Sequence, residues 1–124
     1  MVGLFWALES LSTLFQERKD PLDDRVNLWP NGRVPYVISE ELDSSAREKI
    51  NEAIEEFHQK TCVNFEPRLK SDRDYVFFDK IPNGCTSPLG KDCDGGVQYI
   101  YLAPDCQRSK ADIQHEMMHT LGNV

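Results

Sequence analysis

The sequence predicts an α+β fold, a twisted mixed sheet with helices packed on it. Three observations carry this expectation. Runs of strand formers recur at 34–38, 75–78 and 97–102. A long amphipathic helix falls between the first two runs, and a second helix follows the third. Turn-rich segments separate the elements. At 124 residues the chain fits one small domain or part of a larger one.

The first 15 residues are apolar, but Glu9 interrupts them and no Lys or Arg precedes it, so they make a poor secretory signal. Leu4, Leu8, Leu11 and Phe15 recur at helical spacing and predict a short amphipathic helix. Residues 16–26 are charged and contain Pro21, which reads as an exposed linker. Residues 1–26 are therefore set apart from a domain at 27–124.

Trp29-Pro30-Asn31-Gly32 is a turn signal. A strand follows at 34–38, with Pro35 placing it near a strand start or at an edge. Asp43-Ser44-Ser45 opens a helix, with Ser45 and Glu48 as a capping box. Ala46, Ile50, Ala53, Ile54 and Phe57 form one apolar stripe on it, suited to packing against a sheet. Tyr75-Val76-Phe77-Phe78 is apolar throughout, as expected of a buried strand. Residues 81–96 carry Pro82, Asn83-Gly84, Pro88, Gly90 and Asp94-Gly95-Gly96, which predicts a long loop. The strand at 97–102 ends before Pro104. Ser109 and Asp112 cap a last helix running to about Leu121, with Gly122 as its stop.

Composition excludes several functions. The chain carries 14 Lys+Arg against 21 Asp+Glu, a net charge of −7. That argues against nucleic acid and against an anionic membrane surface as partners. No run reaches the ~18 apolar residues of a spanning helix. Cysteines stand at 62, 85, 93 and 106, with no C-x-x-C pair, so a zinc ribbon or dithiol redox site is not indicated. An even count spread over loops suits disulfides in an oxidising compartment; four free thiols are the alternative.

The chemistry concentrates in His115-Glu116-Met117-Met118-His119. At 100° per residue the two histidines lie about 40° apart on one side of the helix. Two imidazoles one turn apart can reach one zinc ion at ~2.0–2.1 Å. Glu116 stands at the edge of that side. Its carboxylate is placed to take a proton from a water that zinc has acidified, and to pass it to a leaving amine. Ile113, Met117 and Leu121 recur on the opposite side, so one side buries while the other faces a cleft. His58 borders the first helix's stripe and reads as a boundary histidine. Glu55-Glu56 and Asp23-Asp24 read as solvated charges.

From Trp29 to Gly122 the chain resembles the astacin family of zinc endopeptidases, within the metzincins. The matching pieces are Trp29 to Tyr36, Thr61 to Arg68, Asp74-Tyr75-Val76, Gly84 to Gly90, Gly95 to Gln98, and Ile113 to Gly122. Together they cover about three quarters of the chain. The resemblance implies a metzincin-like N-terminal subdomain with a backing helix and an active-site helix. It implies a zinc-dependent metalloendopeptidase with one Zn2+ per catalytic domain, His115 and His119 as ligands and Glu116 as general base. It implies a Cys85–Cys106 disulfide and a secreted, extracellular protein acting on protein or peptide substrates. It makes Val97, Gln98, Tyr99 and Ile100 the sheet edge that pairs with an extended substrate. Cys62 and Cys93 are left either joined to each other or free.

The same resemblance exposes departures. The family motif H-E-x-x-H-x-x-G-x-x-H puts the third ligand at the position after Val124. The propeptide's F-x-G-D motif is not found in residues 1–28, so residues 1–26 read as a signal or pro-region remnant. The expectation is a truncated catalytic domain lacking full activity. The rival is a non-catalytic truncated isoform that binds extended peptides or partners. A different H-E-x-x-H hydrolase with a downstream Glu ligand is disfavoured by Gly122, which breaks the helix three residues after His119.

Overall fold

A computed structural model describes residues 28–122. The helix expected within 1–15 and the linker at 16–26 lie outside the described residues, as do Asn123 and Val124. A 3-10 turn at Pro30–Gly32 leads into β1 (Arg33–Ile38), followed by α1 (Ser44–Lys60), β2 (Asn64–Pro67), β3 (Tyr75–Lys80), β4 (Cys85–Thr86), β5 (Val97–Leu102), α2 (Pro104–Gln107) and α3 (Lys110–Thr120). The five strands form one mixed sheet in the order β2-β1-β3-β5-β4. All neighbours are parallel except β4, which runs antiparallel to β5. This is the expected α+β architecture.

Pro35 sits inside the sheet rather than at its edge, and the register explains why it is tolerated. At Pro35 strand β1 pairs only with β2, and pairing with β3 begins at Tyr36. A residue with no N–H costs no ladder bond on a side where no strand lies alongside.

Val34 and Phe65, Val76 and Phe78, Ile100 and Leu102 turn to one face of the sheet, where α1 and α3 cover them. The whole predicted stripe of α1 is buried there, and Phe57 meets Phe65 edge-to-face at 5.5 Å. The α1 cap is Asp43, whose carboxylate accepts from Ala46 N at 2.8 Å, and not Ser45. An ionised oxygen in that place is the stronger acceptor for an orphan helix N–H. Strand β3 is buried on one face only: Val76 and Phe78 turn inward. Phe77 turns outward beside Tyr99, which stacks on Tyr101 at 5.2 Å.

Glu56 is not a solvated charge. It bridges the helices, taking Lys110 as ion-pair partner and accepting from Gln114 Nε2 at 3.1 Å. Desolvation works against its charge, and the two hydrogen bonds outweigh it, holding its pKa below the usual value. His58 is the expected boundary histidine, with its Nε2 accepting from Phe65 N at 3.1 Å.

Candidate metal centre

Helix α3 is only 11 residues long, short enough to be marginal in isolation, so its setting comes from tertiary contacts. Ser109 caps it, accepting from Asp112 N at 3.2 Å. Ile113, Met117 and Leu121 are buried in the core. That fixes the rotation of the helix and sends His115 and His119 to the other side. Their rings lie 4.5 Å apart between centroids. His115 is exposed and His119 half-buried.

Two neutral imidazoles one turn apart suit zinc and fill two ligand positions. Among the described residues no group of three or more His, Cys, Asp or Glu gathers to hold a metal. The residues present therefore fit part of a zinc site, the part that the helix supplies.

Glu116 is only 6% exposed and does not join the histidines. Ser87 holds it: the hydroxyl lies 2.9 Å from Glu116 Oε1 and 3.0 Å from its backbone oxygen. Ser87 directly follows β4, so the outermost strand of the sheet leads to the carboxylate. Sequence reasoning missed Ser87. A two-residue strand carries no periodicity, and a serine in a turn-rich loop looks like every other one.

The last turn of α3 is held from outside the helix. Gly90 N–H donates to His119 O at 2.7 Å, and Trp29 Nε1 donates to Thr120 O at 3.1 Å. Gln98 in turn donates to Gly90 O and accepts from Asp92 N, both at 2.9 Å.

The expected substrate edge at Val97, Gln98, Tyr99 and Ile100 lies on β5, between Gly96 and Tyr101. Beyond β5 the short β4 pairs at Tyr101 and Leu102 only, and among the described residues no strand pairs on that side of Val97 to Ile100. Gln98 and Ile100 are buried, Gln98 being turned against the 90–92 loop. Tyr99 belongs to the aromatic row on the far face. Cys85 and Cys106 are bonded, with Cα atoms 6.5 Å apart, tying β4 to α2 just ahead of α3. Cys62 and Cys93 are exposed and unbonded.

A family model, that of the Astacin peptidase family, matches residues 22–124. The chain belongs to the astacin family. It is 38% identical over 105 residues to zinc metalloproteinase nas-8 of Steinernema carpocapsae, covering 85% of this chain and 24% of that protein. It is 35% identical over 122 residues to zinc metalloproteinase nas-13 of Caenorhabditis elegans, covering 98% of this chain and 26% of that protein. Among solved structures it superposes on high choriolytic enzyme 1, a hatching enzyme zinc-protease from Oryzias latipes. That match has a TM-score of 0.66 and 32% identity, over 78% of this chain and 48% of the other. The chain thus spans about a quarter of the length of these curated relatives and about half of that solved structure. The family is one of peptidases, and the relatives named are zinc metalloproteinases.

Proposed function

We propose that the chain supplies the sheet and the histidine helix of a zinc metalloendopeptidase that cleaves internal peptide bonds in proteins. His115 and His119 hold the zinc, and a third donor comes from outside the described residues. When bound, the ion supplies Lewis acidity, which draws the pKa of a water down to about 7. Glu116 takes the proton from the attacking water and gives it to the leaving amine. Ser87 ties up one of its carboxylate oxygens and so aims the other. The observation that carries this reading is the division of labour on α3, with two imidazoles presented together and the carboxylate between them held apart by a hydroxyl.

The substrate is an extended segment of a protein. Of the two edge strands, β2 and β4, it is β4 that runs into Ser87, so a peptide added along it passes the histidine helix. The Cys85–Cys106 bond suits a secreted protein in an oxidising compartment. A non-catalytic peptide-binding role is the second reading, favoured by the gathering of only two metal-binding side chains among the described residues.

The test is zinc-dependent hydrolysis of an unstructured protein by a full-length catalytic domain containing this chain, with and without Glu116→Gln. The substitution is expected to cost roughly 10²–10⁴-fold in turnover with zinc still bound. Unchanged turnover would remove Glu116 from the role. Absence of any hydrolysis by the unsubstituted domain would favour the binding reading.

A further inference from the structure

His119 is the penultimate residue of α3, in the turn where a helix frays and where the last carbonyls have no partner within the helix. A ligand in a fraying turn would hold a metal poorly, since the ion tolerates only a few tenths of an ångström in ligand distance. Local bonds close part of this turn: Leu121 N–H meets Met117 O and Met118 O, and Gly122 N–H meets His119 O at 2.9 Å. Gly122 can do so because it takes φ +97°, the left-handed stop that glycine adopts without strain.

Two further donors arrive from far away in sequence. Gly90 N–H reaches His119 O, and Trp29 Nε1 reaches Thr120 O across 91 residues of chain. Each donor is itself held. Gln98, buried on β5, grips the 90–92 loop at two points, at Gly90 O and Asp92 N. Trp29 is buried on the sheet's N-terminal approach, with Lys91 Nζ 5.6 Å from its ring centre and Lys91 paired to Asp74 at 2.9 Å. The core residues of α3 set its rotation, Gly122 ends it, and these two donors hold its final turn from outside.

We infer that Trp29 and Gln98 are positioning residues for the metal, acting through the backbone of Thr120 and His119 to lock the second ligand in place. This rests on the zinc reading above. Neither side chain touches the ion, and neither takes part in proton transfer. Trp29 and Gln98 both engage the 90–92 loop, Trp29 through Lys91 and Gln98 through Gly90 and Asp92, so their effects on the metal should reinforce each other.

The test uses a full-length catalytic domain containing this chain and zinc alone, titrated by calorimetry, with amide exchange followed at Leu121 and Gly122. Trp29→Phe keeps the ring and removes the donor; Gln98→Met keeps the volume and removes both loop bonds. Thr61→Val is the control, because it removes a hydrogen bond to Phe57 O at the end of α1, away from the histidines. Each of the first two is expected to weaken zinc binding about 3- to 10-fold, the scale of one lost hydrogen bond, and to speed exchange at Leu121 and Gly122. Thr61→Val should lower stability and leave zinc affinity unchanged. Folded Trp29→Phe and Gln98→Met binding zinc like the unsubstituted chain would overturn the inference, and so would an equal loss in Thr61→Val. Trp29→Phe decides the matter if Gln98→Met does not fold. No zinc binding by an unsubstituted full-length catalytic domain containing this chain would overturn the functional reading and this inference with it.

Discussion

Helices α1 and α3 cover the same face of the same sheet, and they are held there by different kinds of contact. α1 is held at its ends by neighbours in sequence. Asp43 caps its start, and Thr61 Oγ1 donates to Phe57 O at 2.7 Å at its end. Every buried residue of α1 is apolar. α3 also has a local cap in Ser109, but it buries Gln114, Glu116 and Thr120 beside its apolar residues. The Gln114 amide nitrogen, Glu116 and the final turn's backbone draw partners from Glu56, Ser87, Gly90 and Trp29. Apart from Glu56, which reaches across to α3, α1 packs through apolar residues alone, and such a helix can be encoded locally. A helix that must present two imidazoles and a carboxylate in fixed directions needs polar contacts from elsewhere, because apolar burial is not directional.

The sharpest way to break the α1 side is Phe57→Ala. It empties a fully buried site against Phe65 and should cost about 3–5 kcal/mol, read by chemical denaturation. The loss should appear as unfolding of the whole unit rather than as a selective effect on zinc. Retained stability would mean that α1 is not the backing of this core.

Next in size is the Cys85–Cys106 bond, which closes a loop of 21 residues in sequence separation. Its replacement by an alanine pair should lower stability by roughly 3 kcal/mol in the chain-entropy account. The loss should be read first around β4 and Ser87, since the bond ties that edge to α2. Hydrogen exchange at Thr86 and Ser87 that did not change would separate the bond from the site.

The smallest effect lies at the end of the sheet away from β4. Arg33 grips Asp72 through two bonds of 2.8 and 2.9 Å, and Leu69 N–H adds a third at 2.8 Å. The Arg33 hydrogen bonds come first, then the backbone bond, and together they hold the Asp72 pKa down at about 2. A carboxylate with a depressed folded pKa contributes stability above its unfolded pKa of about 3.9 and loses it as pH falls toward 2. Asp72→Asn should therefore flatten stability against pH in that window and leave zinc binding alone. An unchanged acid limb would show that the pair contributes nothing there.

What was legible in the sequence follows the same division. The α1 stripe and β5 were readable because period and burial coincide in them. The helix of His115 and His119 was readable because ligand spacing follows from helical geometry. β2 and β4 were not readable, since four and two residues cannot show a period. β4 covers β5 only at Tyr101 and Leu102, too short a pairing to leave a pattern in the sequence. Asp43 was displaced by a serine pattern that satisfies the same rule on paper. Ser87, Gly90 and Trp29 could not be assigned, because their partners lie on α3, 29 to 91 residues away.

In the proposed function, three residues within one stretch of α3 have separate roles, two as ligands and one as base. The most direct test of that separation is the zinc stoichiometry of the purified chain, titrated by calorimetry beside His115→Ala, His119→Ala and Glu116→Gln. One zinc per chain is expected, lost in either histidine variant and kept in Glu116→Gln. With two imidazoles brought together, the affinity should be weak compared with a three-ligand site. Zinc held equally well without the histidines, or released on changing Glu116 alone, would contradict the assignment.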